Sequence, residues 1–563
     1  MTPEPPAGVE GAARVCQVLE KLGITHVFGL PGTQTVPLYE AIRTSALTSI
    51  VPTSELSAAF MAGAYFRSSG RVAALATIPG PGFTWALTGV AEARADSAAL
   101  LHLTLAEPEG PRSRFELQAI PQRTVGSALA KGFFTVRSLG EIGPVLEEAH
   151  ALAVGGEPGP VIVALSGTTG EAAAIPEAPV EAGGGGNHDV SLAWLRLTEA
   201  SRPLLYVGQG ALTSAPIIRR LAEELRIPVM ATPSGRGILA ESHPLSMPFD
   251  PCRGGHAAAK HLLQRADLVL VLGARLGHNG SAGHGLPLDP STALQVDAAP
   301  ENCGAAYGIP GIVARIEEWA DVAPWGRLAP SQWDPAELDE ARRTLRWPGG
   351  SPTEPRIAQG SAEEFFTDLR KALPESGRLV TDTGLHQILT RRYFDVLRPG
   401  GLLLPSDFQS MGFGLPAAMG AKLANPSDPV VGLVGDGSLA MNGLELATAA
   451  HLRICLPVVV FVDGHLNQIR VQQQREFGHV SGVDLPALDP EALAEAVGVE
   501  FAWVETISEA LTAALGREGP TLLAVPVGDS PAMKKAVRRR RIRNAVKKAV
   551  GRRALGWFRQ RKS

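Results

Sequence analysis

Short runs of apolar residues alternate along this chain with longer stretches in which apolar residues recur every three or four positions. The first 170 residues contain such runs at 26–28, 72–76, 99–102 and 161–165. Short apolar runs are typical of strands buried on both faces, and the recurring pattern, as in residues 9–22, is typical of helices. This alternation predicts a parallel sheet with helices on both of its faces.

The same alternation returns twice after stretches rich in glycine and proline, at 171–189 and about 327–360, which we interpret as linkers. The apolar runs that follow these linkers lie at 204–207, 229–231, 268–272, 294–297, 431–434 and 456–462. We therefore predict the α/β fold class, with three doubly wound parallel-sheet domains at 8–170, 190–326 and 361–528. The first and third domains look like two versions of one architecture.

Composition excludes some classes of protein. Hydrophobic residues make up 45% and charged residues 19% of the 563 residues, which is ordinary for a globular enzyme. No apolar run is long enough to span a bilayer, and the first residues lack the pattern of a signal peptide. The four cysteines lie far apart without a C-x-x-C pair, so we expect them to be reduced and the protein to be cytoplasmic.

Charge is distributed unevenly along the chain. Residues 531–563 hold 14 Lys and Arg and no Asp or Glu, which leaves 38 basic and 56 acidic residues, a balance of −18, elsewhere. We call 531–563 the basic tail and expect it to be helical or disordered. An anionic membrane, a polyanion such as nucleic acid, and the acidic body of the chain are its candidate partners, and a solvated tail is the simplest alternative.

Candidate chemistry lies where two predicted strands of the third domain end. Gly435-Asp436-Gly437-Ser438 follows the run 431–434, and Asp463-Gly464-His465 follows the run 456–462. We expect glycines 435 and 437 to allow a sharp turn and a close approach to a ligand, and a helix at 442–451 to connect the strands. Open α/β sheets bind ligands at the carboxyl ends of their strands, and paired carboxylates hold Mg²⁺ together with phosphate oxygens.

This pair of turns resembles the fingerprint of thiamine diphosphate (ThDP) enzymes of the acetolactate synthase and pyruvate decarboxylase superfamily. In that family a metal-binding Asn lies 27 positions after the Asp of Gly-Asp-Gly, and here Asp463 lies 27 positions after Asp436. The resemblance implies ThDP and Mg²⁺ as cofactors. It also implies Asp436, Asp463 and the backbone carbonyl of His465 as metal ligands. The Val-Asp-Gly variant at 462–464 is similar to catabolic acetolactate synthases.

Further motifs carry the same resemblance over about residues 8–528. The segment that begins Ser54-Glu55-Leu56 resembles the helix of the catalytic glutamate, whose carboxyl group bonds to the cofactor aminopyrimidine. Met411, 25 positions before Asp436, resembles the residue that supports the bent cofactor. The remaining implied contacts lie near the reaction centre or at the two ends of the cofactor: Gly32, Gly80, Pro81, Gly82, Gln118, Gly384, His386, Gly435, Gly437 and Ser438.

Members of the family differ in the step after decarboxylation of a 2-oxo acid: the remaining fragment is protonated to an aldehyde or joined to a second carbonyl compound. None of the 13 histidines has a histidine neighbour, whereas pyruvate decarboxylases resemble one another in having an adjacent pair. We therefore predict an acetolactate synthase-like carboligase with pyruvate as the default donor. A non-ligating decarboxylase or lyase is the first alternative, and a catalytically silent scaffold localised by its tail is the second.

The resemblance also bears on partners and on a third cofactor. Family members form active sites between two subunits, so we expect a homodimer or homotetramer. Biosynthetic synthases bind FAD in the middle domain, where an arginine resembles Arg275, and catabolic forms lack FAD. Gly208-Gln209-Gly210 and Gly273-Ala274-Arg275 each follow a predicted strand, so the sequence leaves FAD binding open.

Overall fold

Three parallel sheets, each flanked by helices, make up the protein. The computed structural model describes residues 7–106, 117–166, 190–346, 354–486 and 488–528, so the basic tail lies outside the described residues. Every strand pair within the three sheets is parallel. The predicted α/β class with three parallel-sheet domains is therefore confirmed.

The first sheet has the strand order β2-β1-β3-β4-β6-β5. Its strands are β1 (His26–Gly29), β2 (Thr48–Ile50), β3 (Ala73–Ala76), β4 (Leu100–Leu105), β5 (Gly132–Val136) and β6 (Pro160–Leu165). Its helices are α1 (Ala7–Lys21), α2 (Val36–Arg43), α3 (Glu55–Ser69), α4 (Pro81–Ala95), α5 (Gln122–Ser127) and α6 (Ile142–Val154). Helices α1, α2 and α6 cover one face of this sheet, and α3 and α4 cover the other.

The middle sheet has the order β11-β10-β9-β7-β8. Its strands are β7 (Pro203–Val207), β8 (Val229–Ala231), β9 (Leu268–Leu272), β10 (Ala293–Asp297) and β11 (Gly311–Val313). Its helices are α7 (Ser191–Glu199), α8 (Ala215–Leu225), α9 (His256–Arg265), α10 (Ile316–Asp321) and α11 (Pro335–Arg346). Continuous burial of β7 and β9 explains why both read as uninterrupted apolar runs.

The third sheet has the order β13-β12-β14-β15-β17-β16, which repeats the order of the first sheet strand for strand. Its strands are β12 (Arg378–Thr381), β13 (Leu402–Leu403), β14 (Val430–Gly435), β15 (Leu456–Val462), β16 (Glu500–Trp503) and β17 (Pro520–Pro526). Its helices are α12 (Ala362–Ala372), α13 (Leu385–Tyr393), α14 (Gly414–Ala424), α15 (Asp436–Asn442), α16 (Glu445–His451), α17 (Asn467–Phe477), α18 (Pro490–Ala496) and α19 (Ile507–Leu515). The predicted likeness of the two outer domains thus extends to their topology.

The outer domains share one core, in which α3 of the first packs on α14 of the third. Gly420 of α14 lies so close to α3 that a Cβ there would be 2.2 Å from the Met61 carbonyl oxygen. Thr53 donates its backbone N–H to the buried Glu445 carboxylate over 2.9 Å. The segment just before Glu55 is therefore fixed to the third domain of the same chain.

One local prediction was incomplete. The helix expected at 442–451 is present as α16, Glu445–His451, and a second short helix, α15, precedes it and begins at Asp436. Gly443 separates the two, and a Cβ there would lie 2.4 Å from the Leu439 carbonyl oxygen. Asp436 therefore belongs to the first turn of a helix and not to a loop, which places its carboxylate at a helix N-terminus.

Candidate active site

Gly435 links β14 to α15 and is needed for a close approach rather than for an unusual backbone angle. Its φ of −87° is open to any residue, contrary to the expected sharp glycine turn. A Cβ at this position would lie 3.2 Å from Cε1 and Nδ1 of His386. The glycine therefore lets the His386 imidazole lie directly against the backbone that leads to Asp436.

Asp436 and Asp463 meet at the ends of β14 and β15. The Asp436 Oδ2 atom accepts hydrogen bonds from the backbone N–H groups of Asp463, at 3.1 Å, and Gly464, at 2.7 Å. Burial raises the pKa of Asp436 to about 6, and the neighbouring Asp463 carboxylate adds to the rise. Burial also raises the pKa of Asp463. Two adjacent buried acids disfavour each other's charge, and a divalent cation between them would remove that penalty.

The third predicted metal ligand, the His465 carbonyl, follows Asp463 in the same turn. The His465 N–H donates to Asp463 Oδ1 over 2.9 Å, and its imidazole is directed to Asp484 at 2.9 Å. Across the described ranges, no group of three or more His, Cys, Asp or Glu side chains could hold a metal ion. Two carboxylates and one carbonyl suit Mg²⁺, which ordinarily completes its octahedron with phosphate oxygens and water.

The loop between β12 and α13 offers polar groups that lack partners among the residues that the structure describes. Gly384 precedes α13 with a φ of 146°, and His386 in the first turn of this helix is 5% exposed. Among the described residues, neither His386 Nε2 nor Thr383 Oγ1 has a hydrogen-bond partner. Buried polar atoms are costly when unpaired, so phosphate oxygens at this helix N-terminus would satisfy them. Burial lowers the pKa of His386 to about 3, and a bound phosphate would raise that pKa.

Met411 lies beside the Gly-Asp-Gly segment, as its predicted role requires. The Met411 Cε atom is 3.5 Å from the position that a Cβ of Gly437 would take. Asp382, which is fully buried, fixes the Met411 loop by accepting the N–H groups of Gly412 at 3.1 Å and Gly414 at 2.7 Å. We call this group the C-terminal half-site; its predicted members are Gly384, His386, Met411, Gly435, Asp436, Gly437, Ser438, Asp463 and His465.

Two residues that sequence reasoning missed hold the other side of the Met411 loop. Glu92 Oε2 accepts the Ser410 N–H at 2.9 Å, and Asp96 Oδ1 accepts the Ser406 N–H at 3.1 Å. Both acids are 1% exposed, Glu92 on α4 of the first domain and Asp96 at its C-terminal end. Burial raises the pKa of Glu92 to about 8, and the neighbouring Asp96 adds to the rise. The sequence signal that could have found these residues is a pair of acids four positions apart in a mostly apolar stretch.

Glu55 is the first residue of α3, whose N-cap Ser54 accepts the Ser57 N–H at 3.2 Å. Glu55 is 8% exposed. The Glu55 Oε1 atom lies 2.9 Å from where a Cβ of Gly82 would be. Among the described residues, no hydrogen bond to the Glu55 carboxylate is found. Glu55 is therefore a buried acid without a hydrogen-bond partner among the described residues. It faces the Gly80-Pro81-Gly82 turn, where the predicted cofactor contact lies.

The Gly80 turn packs under Gln118. Gly80 has a φ of 66°, and a Cβ there would be 2.7 Å from the Gln118 carbonyl oxygen. Gln118 itself has a φ of 63°, which non-glycine residues rarely adopt. Its side-chain Oε1 accepts a hydrogen bond from Gln34 Nε2 over 2.5 Å. Gln34 was not predicted as a site residue, although it lies two positions after the predicted Gly32.

Gly32 joins the same cluster from the loop after β1. A Cβ on Gly32 would lie 2.4 Å from the Ile78 side chain, and one on Gly82 would lie 2.7 Å from the same side chain. We call this group the N-terminal half-site; its members are Gly32, Gln34, Glu55, Gly80, Pro81, Gly82 and Gln118. Lys131 lies outside this group and donates to the carbonyls of Leu152 and Glu157 at 2.6 and 2.7 Å.

The two half-sites are not in contact through their key residues within one chain. In the described part of the protein, no hydrogen bond or ion pair joins Glu55 to Asp436 or Asp463. Exposed apolar side chains surround both half-sites. Those of the first domain are Val36, Val51, Trp85 and Leu117, and those of the third are Met441, Leu444, Ile469 and Val471. Clusters of this kind commonly mark an interface.

In the middle domain, the groups that could have bound FAD are in contact with other groups of the protein. A Cβ on Gly208 would lie 2.3 Å from the Gly273 carbonyl oxygen, so the two glycine loops fill each other's space. Arg275 is paired with Glu157 at 2.8 Å and Asp407 at 3.0 Å. A flavin phosphate at Arg275 would compete with these two carboxylates.

Three sequence profiles of thiamine pyrophosphate enzymes match the chain. The N-terminal TPP binding domain matches residues 9–125, the central domain residues 190–321, and the C-terminal TPP binding domain residues 382–525. Together they cover each of the three sheets at least in part.

Curated relatives agree with these matches. "Acetolactate synthase" of Arthrospira platensis is 29% identical over 92% of this chain and 94% of its own length. "Acetolactate synthase 1, chloroplastic" of Zea mays is 30% identical over 83% of this chain and 75% of its own length. "Acetolactate synthase isozyme 1 large subunit" of Escherichia coli K12 is 28% identical over 82% and 83%, respectively.

Proposed function

Because the chain belongs to the thiamine diphosphate-dependent enzymes of the acetolactate synthase-like family, we propose that it decarboxylates a 2-oxo acid and joins the remaining fragment to a second one. Pyruvate is the default donor, in which case two pyruvates yield one acetolactate and one CO₂. Mg²⁺ and the cofactor diphosphate occupy the C-terminal half-site in this proposal, and the reacting groups face the N-terminal half-site.

The observation that carries this proposal is the meeting of Asp436 and Asp463 beside an unpartnered His386 nitrogen. The two carboxylates would hold the metal, and His386 with Thr383 would bind phosphate oxygens. ThDP supplies carbanion chemistry at its thiazolium C2, which stabilises the charge left by decarboxylation. Glu55 would hold a proton at the pyrimidine N1′, and its burial limits access of water to that proton.

The test is an assay of the full chain with ThDP, Mg²⁺ and pyruvate that measures acetolactate, acetaldehyde and CO₂. We expect acetolactate and CO₂ in equal amounts. Acetaldehyde as the sole organic product would instead support the non-ligating decarboxylase. Tight ThDP binding without turnover of any 2-oxo acid would support the silent scaffold.

We also propose that two copies of the chain pair so that each active site combines the N-terminal half-site of one with the C-terminal half-site of the other. The exposed Val36, Trp85 and Leu117 would then be covered by Met441, Leu444 and their neighbours. Trp85→Glu should shift the protein to a monomer in light scattering and abolish turnover, because Trp85 is 57% exposed and its replacement leaves the fold intact. A dimeric, active variant would contradict this pairing.

Two further proposals concern cofactors and location. The pairing of Arg275 supports an enzyme without FAD, so the purified protein should lack the visible absorbance of a bound flavin. Within the described ranges no helix is long and apolar enough to cross a membrane, and a cytoplasmic location remains a prediction.

Deletion of 531–563, the basic tail, should leave ThDP chemistry intact and abolish any binding to anionic lipid or polyanion. Loss of activity on deletion would instead give the basic tail a role at the active site.

A further inference from the structure

Gln34 and Gln118 form a side-chain pair, here called the amide pair, at the N-terminal half-site. Gln34 Nε2 donates to Gln118 Oε1 over 2.5 Å, although the two residues are 84 positions apart in sequence. Gln118 lies against Gly80, and Glu55 lies against Gly82, so a short turn separates the amide pair from the acid. The amide pair therefore links Gln34, which the family resemblance did not implicate, to Gln118, which it did.

Both backbones of the amide pair are fixed. Gln118 has the rare φ of 63° and rests on Gly80, where any side chain would collide with it. The turn that carries Gln34 is closed by Thr35, whose hydroxyl accepts the Gly32 N–H at 2.9 Å and donates to the Gly32 carbonyl at 3.1 Å. The contact between the two amides thus follows from the placement of two rigid turns.

The hydrogen bond also determines which end of the Gln118 amide remains available. Its Oε1 is occupied by Gln34, so its Nε2 is the free end, and this nitrogen can only donate. In the described part of the chain, neither Gln118 Nε2 nor Gln34 Oε1 has a protein partner. The amide pair therefore presents a donor at the Gly80-Pro81-Gly82 turn, which Glu55 contacts at Gly82.

We propose that Gln34 is a specificity-determining residue, which fixes the Gln118 amide so that its NH₂ group receives the carboxylate of the incoming acceptor 2-oxo acid. This inference rests on the carboligation proposed above. A hydrogen bond from an amide to a carboxylate is charge-assisted and stronger than one to a neutral carbonyl group. The amide pair therefore favours a second 2-oxo acid over an aldehyde as the acceptor.

The test compares two acceptors in one reaction. Wild type, Gln34→Met and Gln34→Glu are given pyruvate together with acetaldehyde, and the ratio of acetolactate to acetoin is measured. Gln34→Met removes the donor to Gln118 at nearly constant shape and should lower the ratio about 3- to 10-fold. Gln34→Glu makes Gln118 donate to residue 34 and turns its carbonyl toward the acceptor, so the ratio should fall about 10- to 100-fold.

ThDP affinity is measured alongside and should change less than the product ratio in both variants, since Glu55, Asp436 and Asp463 are untouched. Gln17, an exposed glutamine of α1, gives the matched controls Gln17→Met and Gln17→Glu, which should keep the wild-type ratio. An unchanged ratio in both Gln34 variants would overturn the inference, and Gln34→Met decides alone if Gln34→Glu does not fold.

Failure of the carboligation proposal is distinguishable. If wild type releases CO₂ and forms no acetolactate, carboligation is refuted, and the KM for pyruvate in CO₂ release decides the role of the amide pair. A KM about tenfold higher in Gln34→Glu with unchanged kcat would support recognition of the carboxylate. An unchanged KM would refute it.

Discussion

The first and third sheets have the same strand order, yet the equivalent strand ends carry different chemistry. In the first domain, β3 leads into the Gly80-Pro81-Gly82 turn, against which Glu55 of α3 and the amide pair lie. In the third domain, the equivalent β14 leads directly into α15, where Asp436 meets Asp463 from the end of β15. His386 of α13 packs against Gly435, and its Nε2 atom has no partner among the described residues. The N-terminal half-site is suited to a neutral heterocycle, and the C-terminal half-site to a metal with phosphate.

The comparison shows that topology decides where a ligand binds and that a few residues decide which ligand binds. Both half-sites use glycine for close approach, at Gly82 against Glu55 and at Gly435 against His386. The two half-sites differ in the side chain that packs against the glycine, which is a carboxyl group at Gly82 and an imidazole at Gly435. Substitutions in each half-site test this division, because each residue should control a different property of the enzyme.

Glu55→Gln should produce the largest effect. Glutamine keeps the shape of the side chain and loses the exchangeable carboxyl proton, so turnover should fall by about 10²- to 10⁴-fold. ThDP affinity, measured by titration of tryptophan fluorescence, should remain within about threefold. Turnover at the wild-type rate would contradict the role given to Glu55 and to the whole N-terminal half-site.

Asp436→Asn should act on cofactor binding, whereas Glu55→Gln should act on turnover. Removing one of the two carboxylates proposed to bind the metal should weaken Mg²⁺-dependent ThDP binding by at least about 100-fold, and saturating Mg²⁺ should restore part of the activity. Asp484→Asn is the matched control, because this acid is 87% exposed and its carboxylate pairs with the His465 side chain. Unaltered Mg²⁺ dependence in Asp436→Asn would remove the metal from the C-terminal half-site.

The third prediction places the same change in both half-sites. Gly82→Ala would press on Glu55 Oε1 at 2.9 Å and should lower kcat about tenfold, with a small change in ThDP affinity. Gly435→Ala would press on the His386 ring at 3.2 Å and should weaken ThDP binding about 3- to 10-fold. Gly140→Ala, where nothing lies within 4 Å of the added carbon, is the control. Identical changes in kcat and in ThDP affinity for Gly82→Ala and Gly435→Ala would contradict the different roles given to the two half-sites.

Much of this arrangement could be predicted from the sequence, because it depends on local pattern and spacing. β8, β9 and β15 have the predicted bounds, since each is a short apolar run between polar turns. The 27-residue spacing brought Asp436 and Asp463 together because consecutive parallel strands end at the same edge of a sheet.

The misses have a common physical cause, which is contact between residues distant in sequence. Gln34 gains its place only from the turn that carries Gln118, and Glu92 gains its place only from the loop that precedes Met411. No local pattern contains such information.

Glu92 connects the first domain to the third, and its substitution should give the smallest of the predicted effects. It lies on α4 of the first domain and accepts the Ser410 N–H next to Met411 of the third. Its pKa is raised by burial to about 8, so the folded protein keeps a proton that the unfolded chain releases above its ordinary pKa near 4.5. The free energy of unfolding that depends on this group is therefore lost progressively as the pH rises from about 4.5 to 8.

Glu92→Gln retains an oxygen for the Ser410 N–H and removes the titration. The variant and wild type should melt at similar temperatures near pH 4.5, and the variant should gain about 2–4 °C in Tm by pH 8, a difference that then levels off. Glu148→Gln, at an exposed position of α6, should show no such trend. If the Glu92→Gln difference is constant with pH, the acid is ionised in the folded state and the contact between the first and third domains carries a charge.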